Sequence, residues 1–91
     1  MFYVYLLMCG SSGKKPLYCG YTKNIKQRLK DHQNGRGGRF TRSRQPVKLV
    51  YWESLSTRKK AISREREIKK LARREKLRMI RCFSGDEESI A

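Results

Sequence analysis

The feature that most constrains the fold of this chain is its longest apolar run, Phe2-Tyr-Val-Tyr-Leu-Leu-Met-Cys9. Aromatic and branched side chains dominate it, and apolar residues occupy both alternating sides, so it reads as a strand with both faces covered. It is far shorter than the ~18 apolar residues that a membrane-spanning helix needs. It has no basic lead and no small-residue cleavage site, so it does not read as a signal peptide.

The rest of the chain supplies the partners of that strand. Gly10-Ser-Ser-Gly13 with Pro16 is a loop, and Leu17-Tyr-Cys-Gly-Tyr21 is a second strand, which makes residues 2–21 a β-hairpin with a long connection. Thr22 or Asn24 can cap a helix that carries Ile25, Leu29 and His32 on one stripe and stops at Asn34-Gly35. Gly35 to Pro46 reads as a flexible stretch holding Arg36, Arg39, Arg42 and Arg44. Val47 to Glu53 is a third strand. Thr57 opens a second long helix that runs to about Leu71, and Leu77, Met79 and Ile80 mark a further helical piece. The order β-β-α-β-α-α predicts an α+β domain: a small three-stranded antiparallel sheet flanked by helices. Residues 1–83 are expected to form this one domain, with residues 84–91 a flexible acidic tail.

Charge then narrows the partners. The chain of 91 residues has 23 Lys and Arg against 8 Asp and Glu, a net +15, and the basic residues are spread along its whole length. A folded body this positive attracts polyanions at long range, and nucleic acid is the expected partner. The three cysteines, Cys9, Cys19 and Cys82, lack metal-ligand spacing, and with a single histidine they cannot furnish an ordinary zinc site. Reduced thiols in the cytoplasm are the plain expectation.

Several residues could carry chemistry. On an ideal helix Ala61, Ile68 and Ala72 lie within about 40° of one another. Glu65 falls on that same stripe, whereas Glu67 points away. A carboxylate on a buried stripe has a desolvation cost and needs a cation, either a metal or a structural arginine. Arg28 and His32, spaced i and i+4, share a helix face. Arginine is the natural phosphate clamp because its planar fork bonds two oxygens and stays charged, although a histidine beside an apolar stripe is more often a packed core residue. Tyr3 and Tyr5 face the same way on the first strand, and Tyr18 points opposite to Cys19 on the second. Gly20, inside a strand, suggests a close backbone approach. There is no phosphate-binding Gly-rich loop with Lys-Ser or Lys-Thr, no nucleophilic serine turn, and no carboxylate cluster for a two-metal site.

The succession Tyr3-Val4-Tyr5, Tyr18-Cys19-Gly20, Arg28 with His32, and Glu65 on a later helix resembles the GIY-YIG nuclease domain, in particular its small stand-alone members. The strings Leu17 to Thr22, Asn34 to Gly38, Pro46 to Val50, Ala61 to Lys69 and Arg74 to Leu77 support the resemblance, which runs from about residue 2 to residue 80. The resemblance implies a phosphodiester-cutting site. Glu65 would hold a single divalent cation, usually magnesium. Tyr5 would be a general base or a water-positioning group, and Tyr18 would orient water or phosphate. Arg28 would neutralise phosphate, His32 would support the nucleophile or proton transfer, and backbone around Gly20 would approach the substrate. Tyr3 replaces the glycine of the first motif, and no asparagine follows Asn34.

The expected function is therefore a magnesium-dependent endonuclease acting on DNA, in repair or recombination, with target choice supplied by a protein partner. The competing expectation is a basic module on the same fold that grips DNA or RNA through Arg36, Arg39, Arg42 and Arg44 without cutting it. A domain that docks acidic proteins is a third.

Overall fold

In a computed structural model, which describes residues 1–11 and 13–83, the apolar run forms strand β1 (Phe2–Cys9). It lies in the middle of a three-stranded sheet, between β2 (Leu17–Thr22) and β3 (Val47–Leu55), and pairs antiparallel with both. The central place explains the continuous apolar sequence, because such a strand has no solvent face. Alternation sends Tyr5, Leu7 and Cys9 to one side and Val4 and Leu6 to the other. On β3 a bulge opposite Leu6 and Leu7 absorbs one residue. Without it Leu49 and Trp52, three positions apart, would face opposite ways; with it both join the Tyr5 side.

Helix α1 (Ile25–Gln33) covers the Tyr5 side with Ile25, Leu29 and His32, the expected stripe. Its cap is Asn24, whose Oδ1 accepts from the Gln27 N–H at 3.1 Å, while Thr22 Oγ1 receives the Asn24 N–H. Gly35 ends the helix with φ +77°, a backbone shape that suits glycine. The opposite side is covered by α3 (Arg58–Lys70) through Ala61 and Ile68, with Met79 and Ile80 of α4 (Arg73–Cys82) packed beside them. Thr57 caps α3 as expected.

Two expectations need correction. Gly35 to Pro46 is not simply a flexible stretch: Arg39–Arg42 forms one helical turn, α2, and its Thr41 is 1% exposed. Ala72 does not extend the Ala61–Ile68 stripe. Leu71 and Ala72 adopt extended backbone, which ends α3 at Lys70 and leaves Ala72 exposed as the cap of α4. The proposed acidic tail, residues 84–91, lies outside the described residues.

Candidate active site

Four of the expected residues meet on the α1 side of the sheet. The register places Tyr5 directly across from Gly20. With no Cβ at position 20, the Tyr5 ring lies flat over the strand; a methyl group there would stand 2.6 Å from the Tyr5 hydroxyl. This is the close approach that a glycine inside a strand foretold, although the group approaching is the chain's own phenol. Tyr18 lies beside it, with ring centroids 6.5 Å from Tyr5 and 5.1 Å from His32.

His32 is fully buried and serves as the hub. Its Nε2 is 3.1 Å from the Tyr5 hydroxyl, and its Nδ1 is 2.7 Å from Thr41 Oγ1. Burial, followed by the positive charge of Arg28, lowers its pKa, so the ring is neutral at neutral pH. Burial raises the Tyr5 phenol to about 12 despite the opposing pull of Arg28. Arg28 is half-buried and strongly held in its charged form, first by its interaction with the Tyr5 oxygen.

Sequence reasoning missed the roof of this site. Thr41 binds the imidazole. Gln45 Nε2 donates to the carbonyl oxygens of His32 at 2.7 Å and Thr41 at 2.8 Å. Gly37 packs its backbone against the ring, where a Cβ would come within 2.2 Å of Nδ1. Phe40 lies 5.6 Å from the Tyr18 ring, and the Arg44 guanidinium sits 4.1 Å above Phe40. Of the four arginines here, Arg36, Arg39 and Arg42 are exposed and have no side-chain partner among the described residues, whereas Arg44 also donates to the Phe40 carbonyl at 3.1 Å. The only advance signal for Thr41 was a hydroxyl residue between arginines, which says nothing about its partner.

Glu65 stands apart from this cluster, on the α3 side. Its side chain is 15% exposed and accepts a 3.3 Å ion pair from Lys69. Its charge helps to raise the Cys19 thiol to about 11, behind the larger effect of burial. Cys19 lies between Tyr18 and Gly20 on β2, an edge strand of the sheet. Helix α3 packs across β2 and β1, so the acid and the phenols lie on opposite faces of the sheet. The neighbouring arginine is otherwise engaged: Arg64 donates to Glu53 at 2.9 Å and pairs with Glu67 at 3.3 Å, and Glu53 also accepts from the Tyr51 hydroxyl. Along the outer side of α3, Arg58, Lys59, Ile62, Ser63 and Arg66 line an open basic groove of about 510 Å³, a second feature absent from the sequence reading.

A metal here would have one protein carboxylate. Among the described residues no three His, Cys, Asp or Glu side chains come together as a cage. Magnesium suits such a setting, because it keeps several waters and takes substrate phosphate oxygens alongside one or two carboxylates. Lys69, more than half exposed, is free to swing away from Glu65. The donor set thus fits an ion that arrives with a phosphate better than one held permanently.

A family profile described as the GIY-YIG catalytic domain matches residues 1–78. The chain belongs to the GIY-YIG family. This GIY-YIG chain is 47% identical over 89 residues to UPF0213 protein CPE1444 of Clostridium perfringens, covering 98% of the chain and 92% of that protein. It is 42% identical over 83 residues to UPF0213 protein NP_0776A of Natronomonas pharaonis, with 91% and 94% covered. It is also similar to the solution NMR structure of UPF0213 protein BH0048 from Bacillus halodurans, with 35% identity, a TM-score of 0.57, and 93% and 88% of the two chains covered. The chain spans 92%, 94% and 88% of these three relatives' lengths.

Proposed function

We propose that this GIY-YIG domain is a magnesium-dependent endonuclease that hydrolyses phosphodiester bonds in DNA, in the cytoplasm, with target choice supplied by a protein partner. The observation that supports this reading is the gathering of Tyr5, Tyr18, Arg28 and His32 over Gly20, at an edge strand that α3, which carries Glu65, packs on from the other face. A backbone draped over that edge would meet both faces. Arg28 would hold a non-bridging phosphate oxygen and offset its charge. Tyr18 and Tyr5 would orient the phosphate and the attacking water, and His32 would fix the Tyr5 hydroxyl. Glu65 would hold the ion, which when bound supplies Lewis-acid stabilisation of charge on the phosphoryl group. Arg36, Arg39 and Arg42, together with the Gly20 backbone, would contact the flanking strand without reading sequence.

The test pairs the parent protein with Glu65→Gln on linear, nicked, branched and single-stranded DNA, with and without magnesium. Cutting by the parent alone, and only with metal, is expected. Equal cutting by both proteins, or none on any substrate, would overturn the proposal. One observation favours a second reading, a binding module without catalysis: Glu65 already has a cation in Lys69. On that reading Glu65→Gln and metal leave affinity unchanged, while neutralising Arg36, Arg39, Arg42 and Arg44 removes it. RNA in place of DNA in the same assays decides the polymer, because phosphate contacts alone do not distinguish them.

A further inference from the structure

We infer that the groove along the outer side of α3 is a second contact surface for a nucleic-acid backbone, in which Arg58, Lys59 and Arg66 neutralise phosphates of one strand. This rests on nucleic acid as the partner of the domain, but not on cutting.

Helix α3 sorts its charges by face. On an ideal helix the groove residues Arg58, Lys59, Ile62, Ser63 and Arg66 fall within an arc of about 140°. No acid of α3 lies in that arc. Its two carboxylates are engaged outside it, Glu67 with Arg64 and Glu65 with Lys69. Arg58, Lys59 and Arg66 are exposed and, among the described residues, pair with no carboxylate. Ile62, half-buried, forms an apolar floor between Arg58 and Arg66, and Ser63 adds an exposed hydroxyl.

Local helix chemistry opposes this placement. Arg58, Lys59 and Lys60 fill the first turn of α3, which holds no acidic residue. The partial positive charge at that end of a helix favours acids and disfavours cations. A break with local preference that no carboxylate offsets marks a surface kept for a ligand, and the ligand that answers a row of unpaired cations is a polyanion. At 1.5 Å per residue, Arg58 to Arg66 spans about 12 Å. That is room for about three phosphates of one strand, which advance about 3.4 Å each along a duplex axis. Arg58 also joins the groove to the candidate active site. Its guanidinium donates to the Tyr21 hydroxyl at 3.5 Å, and Tyr21 lies on β2, the edge strand that carries Tyr18 and Gly20. A strand crossing that edge therefore reaches α3, on the other face of the sheet from α1 and α2. This continuity favours a nucleic acid over an acidic protein segment.

The test is equilibrium binding of a fluorescein-labelled DNA duplex, and of one of its strands, over a range of salt and without metal. A groove variant combines Arg58→Gln, Lys59→Gln and Arg66→Gln. A control variant combines Lys14→Gln, Lys48→Gln and Lys60→Gln, exposed lysines outside the groove, so both proteins lose the same charge. The groove variant should flatten the slope of log affinity against log salt by about 2–3, at about 0.7–0.9 per phosphate contact, and the control by less than half as much. It should also melt at or above the parent, because it relieves the first turn of two cations. Equal losses in the two variants would reduce the effect to net charge and overturn the inference, and a groove variant with a clearly lower Tm would overturn it by making these side chains structural. A groove variant that keeps the parent's slope on DNA but no longer binds a polyglutamate peptide overturns it in favour of an acidic protein. A parent that binds neither form of DNA overturns the nucleic-acid reading together with the groove. Binding that depends on Arg36, Arg39 and Arg42 but not on the groove residues keeps that reading and removes the groove.

Discussion

Replacing Gly20 with alanine tests whether the site depends on the bare backbone at that position. The new Cβ would lie 2.6 Å from Tyr5 Oη, 2.8 Å from its Cζ and 3.2 Å from Tyr18 Cε1, against ordinary contact from 3.4 Å. The Tyr5 ring would have to move by about 0.8 Å. It has nowhere to go, because Tyr5 is 2% exposed and the fully buried His32 stands behind its hydroxyl. Overpacking of this kind costs about 1–3 kcal/mol. In a domain of this size each kcal/mol lowers Tm by about 4–8 °C, which thermal unfolding followed by circular dichroism resolves easily. The same displacement would break the Tyr5–His32 bond, and misplacement on this scale lowers a cutting rate by about a hundredfold. A double variant separates cause from coincidence. Tyr5→Phe removes the atom in closest conflict, so Gly20→Ala should be less destabilising in that background. A Gly20→Ala protein that melts with the parent, or whose loss is unrelieved by Tyr5→Phe, would refute the reasoning.

Three further outcomes follow from the same geometry. Because burial lowers the His32 pKa, the unfolded chain binds the extra proton first as pH falls, so urea unfolding should show stability declining from pH 7.5 toward 5.5, and His32→Gln should remove that decline. Ile68→Ala, at a fully buried position under the sheet, should lower the unfolding free energy by about 2–5 kcal/mol in urea titrations. Alanine at Arg36, Arg39 or Arg42 should flatten the dependence of log affinity on log salt by about 0.7–0.9 per lost phosphate contact without changing Tm. Arg44→Ala should also lower Tm, because that side chain stacks on Phe40.

The sheet and its helices were legible because their signals are local. Asn24 and Thr57 are capping residues in capping places, Gly35 ends a helix, and a continuous apolar run can only be an inner strand. The stripe through Ala61, Glu65 and Ile68 was readable from helix geometry, and Glu65 is indeed largely covered, with Lys69 one turn on. The contacts of Thr41, Gln45 and Gly37 were not legible. Gly35 to Pro46 is glycine- and arginine-rich, a composition that reads as mobile, and what pins it are bonds to a helix nine to thirteen residues earlier. Local propensity has no access to such bonds. The placement of Tyr5 over Gly20 was likewise hidden, since alternation gives the face of a side chain but not its opposite number on the neighbouring strand.

The backbone of Gly37 forms a lid of main-chain atoms over an aromatic nitrogen that no solvent touches. Acylating reagents that seek out imidazoles cannot attack it while that lid is shut. The rate at which the His32 ring itself is acylated therefore becomes a clock for how often the arginine-bearing segment lifts. A polyanion that settles on the segment should slow the clock.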